Sequence, residues 1–165
     1  MRTIINYFNN LLFPLIPESK GWGLKRTMLR LAGARIGSNV KISSSLKIYG
    51  AGSLEVGDNT WIGYQTLIAT SSSVVIGANC DIAPRVYIGT GTHLIDVNAD
   101  HVAAIDISRD IHIGDGCWLC ANSTILPGTE IGAKCVVAAG AVVAKSFTED
   151  KILLAGIPAE KKKNL

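Results

Sequence analysis

The side chains best suited to move a proton near neutral pH are the three histidines, and all of them fall in one stretch: His93, His101 and His112, within residues 89–112. His93 follows Gly89-Thr90-Gly91-Thr92, where the stretch leaves the regular part of the chain, so a rigid neighbour can hold it in place. His101 lies mid-stretch beside Asp100, where nothing fixes it. His112 directly precedes an aliphatic anchor and should point outward from a strand. His93 is therefore the candidate general base. Asp96, three residues further on, is the carboxylate assigned to orient its ring, with Asp81 and Asp106 as rivals. A metal would need other spacings. The histidines are eight and eleven residues apart, so no His-x4-His pair exists and three ligands would have to converge from one loop. No metal is expected.

The four cysteines are the other reactive side chains. Cys80, Cys117 and Cys135 each occupy the small inward position of the repeat described next, where a free thiol behaves as a compact apolar group. Cys120 falls near a corner and should diverge from Cys117. Neither disulfides nor a metal cluster is expected, and a reducing, cytoplasmic compartment is the reading that follows.

The elements that must position His93 are set by a period of six. Ile113, Leu119, Ile125, Ile131, Val137 and Val143 fall six residues apart, and Cys117, Ser123, Thr129, Cys135 and Ala141 follow four residues after the first five. Six fits neither a helix nor an alternating strand; it marks hexads that are each one short strand and a corner. The earlier anchors are Ile36, Ile42 and Ile48, then Val56, Ile62 and Ile68, then Ile76, Ile82 and Ile88. Within each trio the step is six and between trios it is eight, so the insertions fall at one corner of successive turns. Three hexads make a turn and the cross-section is a triangle. The fifteen anchors give a parallel β-helix of five turns, and residues 89–112 are a long insertion at that same corner.

Residues 1–35 precede the repeat as an N-terminal helical segment, with an apolar run over 4–13 and a basic helix candidate over 22–32. They are read as a cap over the open end of the β-helix, with peripheral membrane contact as the alternative. Residues 36–158 form the β-helix domain, in which 144 onward leaves the repeat, and 159–165 form a basic C-terminal tail. The run IINYFNNLLFPLI over 4–16 is too short to span a bilayer. A net charge of +3, partly terminal, makes no nucleic-acid footprint.

The run IGDGCWLCANSTILPGTEIGAKCVVAAGAVVAKSF, the later LLAGIPA and Gly91-Thr92-His93 ahead of the insertion resemble the hexapeptide-repeat acetyltransferases, including galactoside, maltose and exopolysaccharide O-acetyltransferases. The resemblance covers residues 36–158. It implies an all-β fold, a left-handed triangular parallel β-helix with an N-terminal helical cap and a long active-site loop. It implies homotrimers with active sites between subunits and acetyl-CoA as co-substrate, and it implies that His93 takes the proton of an acceptor hydroxyl. Trp118 matches the family's cleft tryptophan. Ala121 and Ala139 match small residues along the pantetheine arm, Ala144 a small or hydroxyl residue further along it, and Lys145 a basic residue near the adenosine phosphates. Some sugar acetyltransferases bind the acceptor through an Asn, and the matching position here is Gly63, so the acceptor site departs from theirs. A basic helix running into AGARIG is similar to enzymes acting on capsular or exopolysaccharide precursors. The expectation is a cytoplasmic O-acetyltransferase for a glycan precursor, with the inner membrane surface as the alternative location. N-acetylation of an amino sugar, a carbonic-anhydrase-like protein and a non-catalytic trimeric scaffold are the alternatives.

Overall fold

A computed structural model describes all of residues 1–165. The chain winds into a triangular prism with three parallel sheets as its faces. The first face stacks Arg35–Ile36, Ser53–Val56, Ser73–Ile76, Ile111–Ile113 and Glu130–Ile131. The second stacks Lys41–Ile42, Trp61–Ile62, Asp81–Ile82, Trp118–Leu119, Val136–Val137 and Ile152–Ala155, and the third Lys47–Tyr49, Leu67–Ala69, Tyr87–Gly89, Thr124–Ile125 and Val142–Val143. Anchor pairs with anchor throughout, as in Ile36↔Val56, Ile42↔Ile62 and Ile48↔Ile68. A slip of one residue would turn every anchor outward, so burial fixes this register. All fifteen anchors and the five small residues named above are buried.

The corners are made by residues that tolerate a left-handed backbone. Asn39, Asn59 and Asn79 take φ of 54°, 59° and 56° at the corner between the first and second faces. Their amides link turn to turn, Asn39 donating to Asn59 at 3.3 Å and Asn59 to Asn79 at 3.2 Å.

The coil goes further than its period suggests. Phe147 bridges to Ile131 on the first face, and Leu154 takes the place of an anchor on the second, paired with Val137 and fully buried. The expected departure at residue 144 is therefore a partial sixth turn. The irregular spacing from Val143 to Leu154 hides it from a search for hexads. The expected basic tail is likewise ordered: Glu160–Asn164 runs antiparallel to Ile152–Ala155 and covers the last edge of the second face. Lys161 there meets Glu149 at 2.7 Å.

At the other end, two helices, α1 (Thr3–Leu12) and α2 (Trp22–Leu31), close the first turn. A first turn has no strand below it, and its backbone groups need partners. Side chains supply them on each face. Arg30 donates to the Ile36 carbonyl through Nε at 2.9 Å. Lys25 Nζ donates to the Ile42 carbonyl at 2.9 Å. Asn10 both donates to the Ile48 carbonyl at 2.8 Å and accepts from its N–H at 3.2 Å, and Asn6 adds a donor at 3.0 Å. Glu18 accepts from the Ser44 and Ser45 N–H groups at 2.7 and 3.2 Å. The charges of the basic helix thus turn inward onto the prism. No helix is long and apolar enough to cross a membrane.

Candidate active site

Residues 89–112 build an antiparallel hairpin at the corner between the third and first faces. Gly91–Ile95 pairs with Ala103–Ser108, and a register shift lies between Leu94 and Ile95. The hairpin is fastened where it leaves and rejoins the prism. Thr90 Oγ1 accepts from the Ser71 N–H at 2.8 Å, and Asp110 accepts from the Ser73 N–H at 2.9 Å. That N–H holds the Asp110 carboxyl below the usual carboxylate range. The sign follows: Asp110's contribution is present above its unfolded pKa and is lost as pH falls through the folded one.

His93 stands near the root of the first strand, directly opposite Asp106. Its Nδ1 lies 2.9 Å from Asp106 Oδ1. A proton on Nδ1 shared with that carboxylate leaves Nε2 with a free lone pair, the form a general base needs. The two residues line an open cavity of about 340 Å³ with Ser71, Thr92, Ile107 and Ser108. The expected partner, Asp96, is not brought to His93. It sits at the end of the strand, where its side chain accepts from the Asn98 N–H at 2.9 Å and shapes the hairpin tip. Cross-strand pairing, rather than closeness in sequence, decides which carboxylate meets the ring. Asp81 is also remote, outward on the second face between Trp61 and Trp118. His101 is exposed in the tip, and His112 points outward between Val75 and Glu130 on the first face. No group of three or more His, Cys, Asp or Glu side chains is placed to hold a metal ion.

The other expected site residues fall at two corners of the prism. Trp118 is half exposed on the second face, and Ala121 and Ala139 follow at the corner between the second and third faces. Ala144 and Lys145 are exposed at the corner between the third and first faces, the same corner that carries His93. Lys145 Nζ lies 5.5 Å from the centre of the Phe147 ring. The third face separates the two groups within one chain. Cys120 is half-buried beside Ala121, and burial raises its thiol pKa. Cys117 is pushed up to about 12, first by burial, so neither thiol is an activated nucleophile.

The largest cavity is elsewhere and was not legible in the sequence. It measures about 810 Å³ and lies between residues 14–18 and the first two turns, lined by Leu15, Ile16, Ser44, Lys47, Tyr49, Gln65 and Leu67 among others. Ser44 and Gln65 place it on the same corner column as Ala121 and Ala139, nearer the capped end. Gly63 lies in this column beside Gln65. A Cβ there would come within 2.6 Å of the Ile82 carbonyl, so no Asn fits at that position.

The family profile described as "Bacterial transferase hexapeptide (six repeats)" matches residues 110–145. The chain is 36% identical to the "Putative colanic acid biosynthesis acetyltransferase WcaF" of Escherichia coli K12, over 80% of this chain and 70% of that protein. Among solved structures, a hexapeptide-repeat acetyltransferase of Vibrio cholerae complexed with acetyl coenzyme A superposes with a TM-score of 0.77 at 23% identity, covering 99% of this chain and 86% of that one. A galactoside acetyltransferase in complex with coenzyme A gives 0.76 at 21% identity, covering 99% and 80%. At these identities the two structures speak for the fold alone, and the family rests on the sequence match: the chain belongs to the hexapeptide-repeat acetyltransferases.

Proposed function

We propose that this protein transfers an acetyl group from acetyl-CoA to a sugar hydroxyl on a glycan precursor, at sites shared between neighbouring subunits of a homotrimer. The observation that carries the reading is the division of the site between two corners. His93 and Lys145 stand on one corner and Ala121 and Ala139 on another, with Trp118 on the adjoining second face and the full third face between the two corners. One cofactor meets both groups when the corner of one prism faces the other corner of its neighbour. Apolar side chains stand outward on the two faces that flank the corner of Ala121 and Ala139: Trp61, Trp118, Val136 and Leu153 beside Lys41 and Asp81 on the second, and Leu67, Tyr87 and Val142 beside Lys47 and Thr124 on the third.

In this reading His93 Nε2 removes the hydroxyl proton as the acceptor oxygen attacks the thioester carbonyl. The C–O bond forms, the tetrahedral intermediate collapses with loss of the C–S bond, and the proton passes from His93 to the departing CoA sulfur. Asp106 holds the ring in the required tautomer and balances the imidazolium that forms. No acyl-enzyme is involved. Lys145 is placed for the phosphates at the outer end of the cofactor, and the corner backbones at Ala121 and Ala139 for the pantetheine arm. The acceptor occupies the cavity beside Gln65. The similarity to a colanic acid biosynthesis acetyltransferase supports a polysaccharide precursor as acceptor. The unpaired thiols fit a cytoplasmic setting.

Release of free CoA thiol from acetyl-CoA, followed over a panel of hexoses, amino sugars and nucleotide sugars, tests the proposal. Acceptor-dependent release with an O-acetylated product is the expected result. A product acetylated only on an amino group would replace the hydroxyl acceptor by an amine, and no acceptor-dependent release from the folded trimer would remove the sugar reading.

A further inference from the structure

Helix α1 is built the wrong way round for a surface helix of a globular protein. Asn6, Asn9 and Asn10 face the prism, where Asn6 and Asn10 satisfy the free edge at Ile48 and Asn9 donates to the Met28 carbonyl at 3.1 Å. The opposite side carries Ile4, Tyr7, Phe8, Leu11, Leu12 and, just past the helix, Leu15, all exposed. Their spacing of three and four makes one continuous stripe. Ile4 and Leu15 are 73% and 79% exposed, so the stripe has no cover within the chain. An apolar patch of this kind marks a surface that meets something.

The charge of the same end says what that is. Residues 1–54 hold eight Lys and Arg against one carboxylate, Glu18, a balance of 8 − 1 = +7. Residues 55–165 hold eight against twelve, a balance of 8 − 12 = −4, and the two sum to the chain's +3. The mild net charge therefore conceals a strongly polar molecule, basic at the capped end and acidic beyond it. Lys25 is buried and Arg30 is committed to the coil edge, but Arg2 and Lys20 are exposed and Lys47 sits beside α1, donating to the Asn10 carbonyl at 2.6 Å. No carboxylate occurs before Glu18, and Glu18 itself is taken up by the Ser44 and Ser45 N–H groups.

We propose that the capped end docks on an anionic lipid surface, with the α1 stripe lying in the headgroup boundary. An uncharged apolar face bearing Tyr7 and Phe8, set in a basic surround, matches an interface that is apolar at depth and negative at its surface. This orientation holds the prism end-on to the bilayer. It also brings the cavity of residues 14–18, which begins where the stripe ends at Leu15, close to the lipid. The inference stands on α1 and the charge distribution, and does not depend on the acetyl-transfer reading.

Co-sedimentation of the full chain with vesicles tests it. The vesicles are phosphatidylcholine with phosphatidylglycerol in one arm and phosphatidylcholine alone in the other, and light scattering measures the mass of the protein in both wild type and F8D/L11D. The wild type should pellet with the anionic vesicles, less with neutral ones, and less as salt is raised. F8D/L11D should keep its mass and lose about a hundredfold in partition, roughly tenfold for each large side chain withdrawn from the lipid. Failure of the folded wild type to pellet with anionic vesicles would overturn the proposal. So would a fall in mass of F8D/L11D, which would place a second copy of the chain on the stripe.

Discussion

His93→Ala should leave the fold intact and lower turnover by roughly 10²–10⁴, the ordinary worth of a positioned general base. The fold survives because His93 is exposed on a hairpin outside the core, and its side-chain partner is an Asp106 that is 91% exposed. CoA binding should be retained, because Lys145, Trp118, Ala121 and Ala139 are untouched. The loss therefore belongs to kcat rather than to cofactor affinity. Asp106→Asn should cost less, about tenfold, since the hydrogen bond to Nδ1 is exposed to water and the hairpin also positions the ring. Steady-state rates for the two variants, with the mass of each measured alongside, check the order. Near-normal turnover in a folded His93→Ala protein would remove His93 as the base.

Lys25→Met should destabilise the protein by about 3 kcal/mol while leaving His93 and the cofactor-binding corners in place. The Lys25 ammonium is buried where the first turn lacks a neighbour below it, and it donates to the carbonyls of Ile42 at 2.9 Å and Glu18 at 3.0 Å. Burial pushes its pKa down and the Glu18 charge partly restores it. Methionine fills a similar volume but leaves those carbonyls without a donor, and an unmet buried acceptor costs about 1–3 kcal/mol. The prism cannot slide a strand in to compensate, because this is the end of the coil. Urea denaturation of wild type and variant measures the difference. An unchanged midpoint would mean that the helices merely rest on the coil end, and that Asn10 and Arg30 suffice to close it.

The path of the main chain was legible because one physical constraint repeats. A narrow prism admits an aliphatic side chain and a small one per hexad, so Ile113 or Cys117 announces its direction by type and spacing alone. The eight-residue steps gave away the shared corner for the same reason, and with it the place of the long insertion. Reading stopped where position depends on pairing. Asp96 is near His93 in sequence, but a hairpin brings together residues across the strand, so Asp106 holds the ring. The partial sixth turn was lost because Phe147 and Leu154 keep the structural place of anchors without their spacing. The inverted face of α1 was also hidden. Its asparagines look like interruptions of an apolar run until the free edge at Ile48 is seen to need them.

If one cofactor lies between two prisms, residues from different corners must both contribute to its binding. Titration calorimetry of the purified protein with CoA and acetyl-CoA, with light scattering to fix the oligomer, tests it most directly. The expected result is a trimer that binds one CoA per chain, with weakened binding when either Trp118 or Lys145 is replaced by Ala. A well-folded trimer without affinity for CoA would contradict it, as would a monomer that binds CoA as tightly as the assembled protein.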